Sequence, residues 1–87
     1  MKVVVEMTVE DLADGKIGHP SRDPVGIAIK RAIPGRPVDV YRDGLIIGGD
    51  EIKPPAAVTA FVDAWDGGLN PDPITFEIEV SDDEAAA

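Results

Sequence analysis

The sequence predicts an α+β fold, a four-stranded and mainly antiparallel sheet with two helices on one face. Three observations lead there. The stretches Asp23–Pro34 and Pro54–Asp66 carry apolar residues on a 3.6-residue period, the mark of helices with one buried stripe. Lys2–Thr8 and Ile74–Val80 alternate with a period of two, as half-buried strands do. Between the helices, Asp43-Gly44 separates two short strand-forming runs, a hairpin signal. The resulting order, β-α-β-β-α-β, is that of the ferredoxin-like split βαβ arrangement. Right-handed crossovers then set both helices on the same face.

The first strand should place Val3, Val5 and Met7 on one face and Lys2, Val4, Glu6 and Thr8 on the other. Thr8-Val9-Glu10-Asp11 resembles a capping box with Asp in place of Glu, opening a short helical turn that Gly15 ends. Lys16–Arg22 has no period and reads as loop. Asp23 is a good N-cap, and Pro24 fits the first helical position, where its missing N–H costs nothing. Val25, Ala28, Ile29, Ala32 and Ile33 form the stripe, Lys30 and Arg31 suit the negative end of the dipole, and Pro34-Gly35 stops the helix. This helix, residues 24–33, is the predicted packing centre.

Val38–Tyr41 and Leu45–Ile47 are the hairpin strands, with Gly48-Gly49 read as a bulge or a bent edge. Ile52 either resumes the strand or anchors the loop. Pro54-Pro55 opens a second helix to about Asp66, with Val58, Phe61, Val62 and Trp65 on its stripe and Ala57 and Ala64 alongside; Gly67-Gly68 ends it. Asn70–Pro73 is a rigid connector. In the last strand Ile74, Phe76, Ile78 and Val80 alternate with Thr75, Glu77 and Glu79. Residues 1–80 are expected to form one small domain and residues 81–87 a frayed acidic and alanine tail.

The chain has no cysteine, which excludes disulfides, thiolate metal sites and cysteine nucleophiles. No apolar run approaches the ~18 residues of a membrane span. The start, Met1–Thr8, is too short an apolar run and is broken by Glu6, so it is not expected to be a signal peptide; a cytoplasmic protein is the expectation. The net charge of −9 is unevenly placed. Residues 1–44 carry seven acids and seven Lys/Arg, whereas residues 45–87 carry ten acids and only Lys53. That balance disfavours neutralising nucleic-acid phosphates. It leaves two readings, solubility or an acidic surface offered to a basic partner.

No catalytic constellation emerges. His19, Ser21 and Asp23 alternate within one short loop, which does not impose the relay geometry of a triad. One histidine with scattered carboxylates lacks metal-ligand spacing, and Asp82-Asp83-Glu84 lacks the glycine and terminal glutamate of a calcium loop. Gly48-Gly49 is not a phosphate loop, since no Lys-Ser/Thr follows. The N-terminus of the 24–33 helix is a candidate anion site with His19, Ser21 and Arg22 just before it, although Asp23 already supplies a negative cap. Lys30, Arg31, Arg36 and Arg42 gather near the helix end and next strand, with Tyr41 the one aromatic among them. They lack the stacking platform of a single-strand binder.

The segments also share a pattern with a known group. Thr8–Gly15 reads T-x-E-D-L-x-x-G, Pro24–Ala32 reads P-V-x-I-A-I-x-R-A, Phe61–Gly67 reads F-V-D-A-W-D-G, and Pro73–Val80 reads P-x-x-F-E-I-E-V. In these the chain resembles small uncharacterised proteins of tailed phages and prophages of GC-rich bacteria, over most of its length. The resemblance implies a phage context and no activity. Members often carry cysteines just before the helix; His19–Asp23 has none, so no thiol or metal role carries over.

The leading expectation is a non-enzymatic, phage-type accessory protein without cofactor, acting in the host cytoplasm by protein–protein contact. Asp63, Asp66, Glu77 and Glu79 would be its working acids. Its partner would be a host or phage protein with a basic surface, such as a host nucleic-acid-binding or defence protein that it inhibits. Neither direct nucleic-acid nor membrane binding is expected, and the state is a monomer or homodimer. The alternative is a small-ligand or anion-binding module at the N-terminus of the 24–33 helix.

Overall fold

The computed structural model describes residues 1–80, so the tail at 81–87 and its Asp82-Asp83-Glu84 run lie outside the described residues. The order is β1 (Lys2–Glu6), α1 (Val9–Asp14), a 3-10 turn (Pro20–Arg22), α2 (Pro24–Ala32), β2 (Val38–Tyr41), β3 (Gly44–Ile47), β4 (Asp50–Ile52), α3 (Ala56–Asp66) and β5 (Thr75–Glu79). Coarsely this is the expected α+β fold. No helix among the described residues is long and apolar enough to cross a membrane.

The single four-stranded sheet is not what forms. β1 pairs with β5 in a two-stranded antiparallel ribbon, and β2, β3 and β4 make a separate three-stranded meander. A ferredoxin-like sheet needs β1 beside the second hairpin strand, and both edges of β3 are already taken by β2 and β4. The cause is Gly48-Gly49. Their φ values of 60 and 90 make them the two left-handed residues of a tight hairpin turn, with Ile47 opposite Asp50, rather than a bulge. The turn returns the chain as a third strand, which the acidic Asp50-Glu51 pair conceals in the sequence. In the first hairpin the turn residues are Arg42-Asp43, both with negative φ, and Gly44 is already in β3 opposite Tyr41.

The ribbon keeps the expected faces. Val5, Met7, Phe76, Ile78 and Val80 are buried, while Val4, Glu77 and Glu79 point outward. A two-stranded ribbon is marginal alone and needs a packing partner; α2 supplies it, resting on β1 as well as on β2 and α1. Val25, Ala28, Ile29 and Ile33 are buried in one cluster with both sheets and with Val58, Phe61 and Val62 of α3. Gly26 permits the close approach, because a Cβ there would lie 3.2 Å from Val40 Cγ2. Ala32 departs from the expected stripe and is exposed at the end of the helix, while Ile33 just beyond it is buried. On α3 the rings of Phe61 and Trp65, one turn apart, stack with centroids 6.2 Å apart at 12°.

The capping box at α1 forms as read. Thr8 N–H donates to Asp11 Oδ2 at 2.8 Å, and Asp11 N–H donates to Thr8 Oγ1 at 3.3 Å. Arg31 adds what the sequence did not show. From the last turn of α2 its Nη1 and Nη2 donate to both Asp11 oxygens, the latter at 2.8 Å, and Nη2 also reaches Glu6 O at 2.8 Å. One guanidinium thus ties β1, α1 and α2 together.

Candidate functional site

A cleft of about 160 Å³ opens where three connecting segments meet, lined by Gly18, His19, Pro20, Asp23, Val40, Tyr41, Arg42 and Asp66. Each segment is held by local chemistry. Gly18, at φ 80, bends the loop after α1, and Lys16 N–H to Arg22 O at 2.9 Å closes it. The 3-10 turn, begun at Pro20, delivers the chain to Asp23, the N-cap of α2. Tyr41 and Arg42 end β2 at the hairpin turn, and Asp66 is the last residue of α3.

Asp23 is the deepest of these groups. It is only 4% exposed, and its Oδ1 accepts the Val25 N–H at 2.8 Å. Among the described residues nothing donates to Oδ2, and no cation pairs with the group. Burial therefore pushes the carboxyl up to about 6; the Val25 N–H pulls it partly back, and the negative charge of Asp66 adds to the rise. Asp66 is exposed and makes no ion pair among the described residues. Arg42, the one Lys/Arg in the lining, is engaged elsewhere: its Nε donates to Asp63 Oδ1 at 2.7 Å. The cleft thus combines two carboxylates lacking a cation with a half-exposed tyrosine.

The acids singled out in the sequence fall in two settings. Asp66 borders the cleft, and Asp63, one turn earlier, is spent on Arg42. Glu77 and Glu79 stand on the outer face of the ribbon, opposite Val4 and Lys2, and Glu79 also meets the Met1 ammonium at 3.2 Å. The proposed anion trio is divided. His19 lines the cleft, whereas Ser21 and Arg22 border a separate, larger and more open hollow of about 520 Å³ with Asp14, Ile27 and Lys30. The α2 N-terminus itself is occupied by the Asp23 carboxylate. Among the described residues no group of three or more His, Asp or Glu could hold a metal ion.

Sequence reasoning missed Tyr41 and Arg42 as cleft residues; it set Asp23 aside as a triad member and kept it as a cap. A D-P helix start signals the cap, and nothing local to it signals how deeply the carboxylate is buried. Compared with protein-family models, curated proteins and solved structures, the chain finds no match.

Proposed function

We propose that this is a non-enzymatic accessory protein, of the phage type its sequence resembles, that binds a protein partner with a basic surface. The observation that supports this best is Asp66, an unpaired carboxylate at the mouth of a cleft whose inner carboxylate, Asp23, also lacks a cation. The surplus of acids over Lys/Arg in residues 45–87 extends the same potential outward. Covering a host nucleic-acid-binding or defence protein in this way would block its own substrate by charge complementarity.

The test is association with a basic partner recovered from host lysate, measured against salt. Binding should weaken as ionic strength rises, chiefly through a slower on-rate. Asp66→Asn should slow association at low salt and leave the melt almost unchanged. Glu77→Gln with Glu79→Gln tests the outer ribbon face separately. If all three changes together leave low-salt association untouched, the acidic surface has no part in binding.

A further inference from the structure

We infer that the cleft between the 3-10 turn, the end of β2 and the end of α3 receives a single arginine side chain from the partner. This deepens the reading above and rests on it, but the site can be tested alone.

Size argues first. Pockets for small organic ligands typically run to about 300–1,000 Å³, so a volume of about 160 Å³ matches one side chain better than a drug-sized molecule. Charge decides the sign. Of the titratable lining groups, Asp23 and Asp66 are acids without a cation, Arg42 is held by Asp63, and His19 and Tyr41 complete the set. An anion would face both carboxylates, and a neutral group would leave them as they are.

The site is more than a cluster of surface acids because the Asp23 side chain is almost fully buried, lines the cleft and has no cation. Its Oδ1 is bonded to Val25 N–H, and Oδ2 has no donor from the protein. Oδ2 is not sealed off, so it takes its donor from the cleft, water in the free protein and an incoming guanidinium in the complex. A guanidinium suits the place better than an ammonium. It carries five donors in one plane, enough to serve two carboxylates together, and it is less strongly hydrated, so it enters a half-buried site more readily. Tyr41, 48% exposed and part of the lining, offers a ring for such a cation to lie against. Val40 and Pro20 provide apolar contact for the aliphatic stem.

The probe is N-acetyl-arginine amide, titrated into the full chain at pH 7.5 and low salt and followed by amide NMR. N-acetyl-lysine amide and the neutral N-acetyl-citrulline amide are the controls. The arginine amide should give saturable shifts at His19, Tyr41, Arg42 and the Val25 amide, the lysine amide weaker ones at the same residues, and citrulline none. Asp66→Asn should weaken binding by up to about fivefold, the scale of one exposed charge. Asp23→Asn keeps the cap and should weaken it more. Glu77→Gln with Glu79→Gln should leave it unchanged. Non-saturating shifts over the whole acidic surface, equal for arginine, lysine and Asp66→Asn, would overturn the site.

The two readings can fail separately. A basic partner that binds while the Val25, His19 and Tyr41 signals stay still removes the cleft and leaves the partner reading standing. Saturable arginine binding in a chain that associates with no basic protein keeps the cleft and ends the partner reading.

Discussion

Two helix entries in this molecule use the same device with opposite outcomes. At α1, Asp11 stands at the third helical position; at α2, Asp23 is the N-cap. Both are nearly inaccessible, 2% and 4% exposed, and both accept a backbone N–H or close a cap in the first turn. At Asp11 burial pushes the carboxyl up, but the Arg31 hydrogen bonds, the Thr8 N–H and the Arg31 charge outweigh it and hold the group below the ordinary aspartate value. At Asp23 burial meets only the Val25 N–H, and Asp66 adds a like charge, so the carboxyl rises to about 6. The two are equally hidden from solvent, but Asp23 is packed beneath more of the protein, so burial weighs more heavily on it. The other differences are the Arg31 guanidinium, which makes the first corner a structural joint, and the Asp66 charge, which leaves the second open to a cation from outside.

The largest expected effect follows from taking that guanidinium away. Arg31→Met should leave Asp11 buried and unpaired and cost about 2–3 kcal/mol in urea melts at pH 7, below the full scale for a buried pair because the Arg31 side chain is itself half exposed. Adding Asp11→Asn should recover part of the loss, because the stranded charge is then gone. A melt for Arg31→Met indistinguishable from wild type would mean that the two corners do not differ as described.

Asp23→Asn is the converse experiment. Asparagine is an equally good N-cap and can still accept the Val25 N–H, so only the buried charge is lost. At pH 7.5 the variant should be more stable than wild type by about 1–3 kcal/mol, the free-energy equivalent of the raised pKa. Near pH 4 the advantage should vanish. The sign follows from proton counting. Between the unfolded value near 4 and the folded value of about 6, the native Asp23 holds more protons than the unfolded chain, so stability falls as pH rises through that window. Asp11 does the opposite: its contribution is complete above the unfolded value and is lost as pH falls through its lowered native value. Wild-type melts from pH 3 to pH 8 should therefore show loss at the acid end and a decline between pH 4 and 6. Asp23→Asn should remove only the decline.

The contrast also shows what was legible in the sequence. Both caps were, because Thr8-x-x-Asp11 and Asp23-Pro24 are local signals that act over one turn. The inward faces of β1, α2, α3 and β5 were legible too, since periodicity is a property of each element alone. The pairing of Arg31 with Asp11 was not. It joins residues twenty apart through the packing of α1 on α2, and Arg31 already had a sufficient local explanation at the end of its helix. The sheets failed for a related reason. Alternation assigns a face but names no neighbour, and three residues of β4 with an acidic start were too little to announce a strand that fills the edge of β3. The cleft draws its residues from three separate stretches, and only the approach of α3 to the hairpin brings Asp66 near Asp23.

The smallest expected effect isolates that last approach. Asp66→Asn removes a negative charge near Asp23 and should move the Asp23 carboxyl downward, though not to its ordinary value, because burial is the larger cause. The carboxyl carbon of Asp23, followed by NMR across pH, reports the change directly. Stability at pH 7.5 should rise by a few tenths of a kcal/mol, about the size of an exposed pair. Two mechanisms predict that gain. Asp66 is also an acid at the C-terminal end of α3, where the macrodipole disfavours it, so its removal helps regardless of Asp23. A double-mutant cycle separates them. If the gain comes from Asp23, it disappears when Asp66→Asn is made on top of Asp23→Asn, since no charge remains to be relieved. If it comes from the helix end, it persists undiminished in the double variant. In that case the Asp23 carboxyl should not move in the single variant either, and the two acids of the cleft would act independently, unable to hold one cation between them.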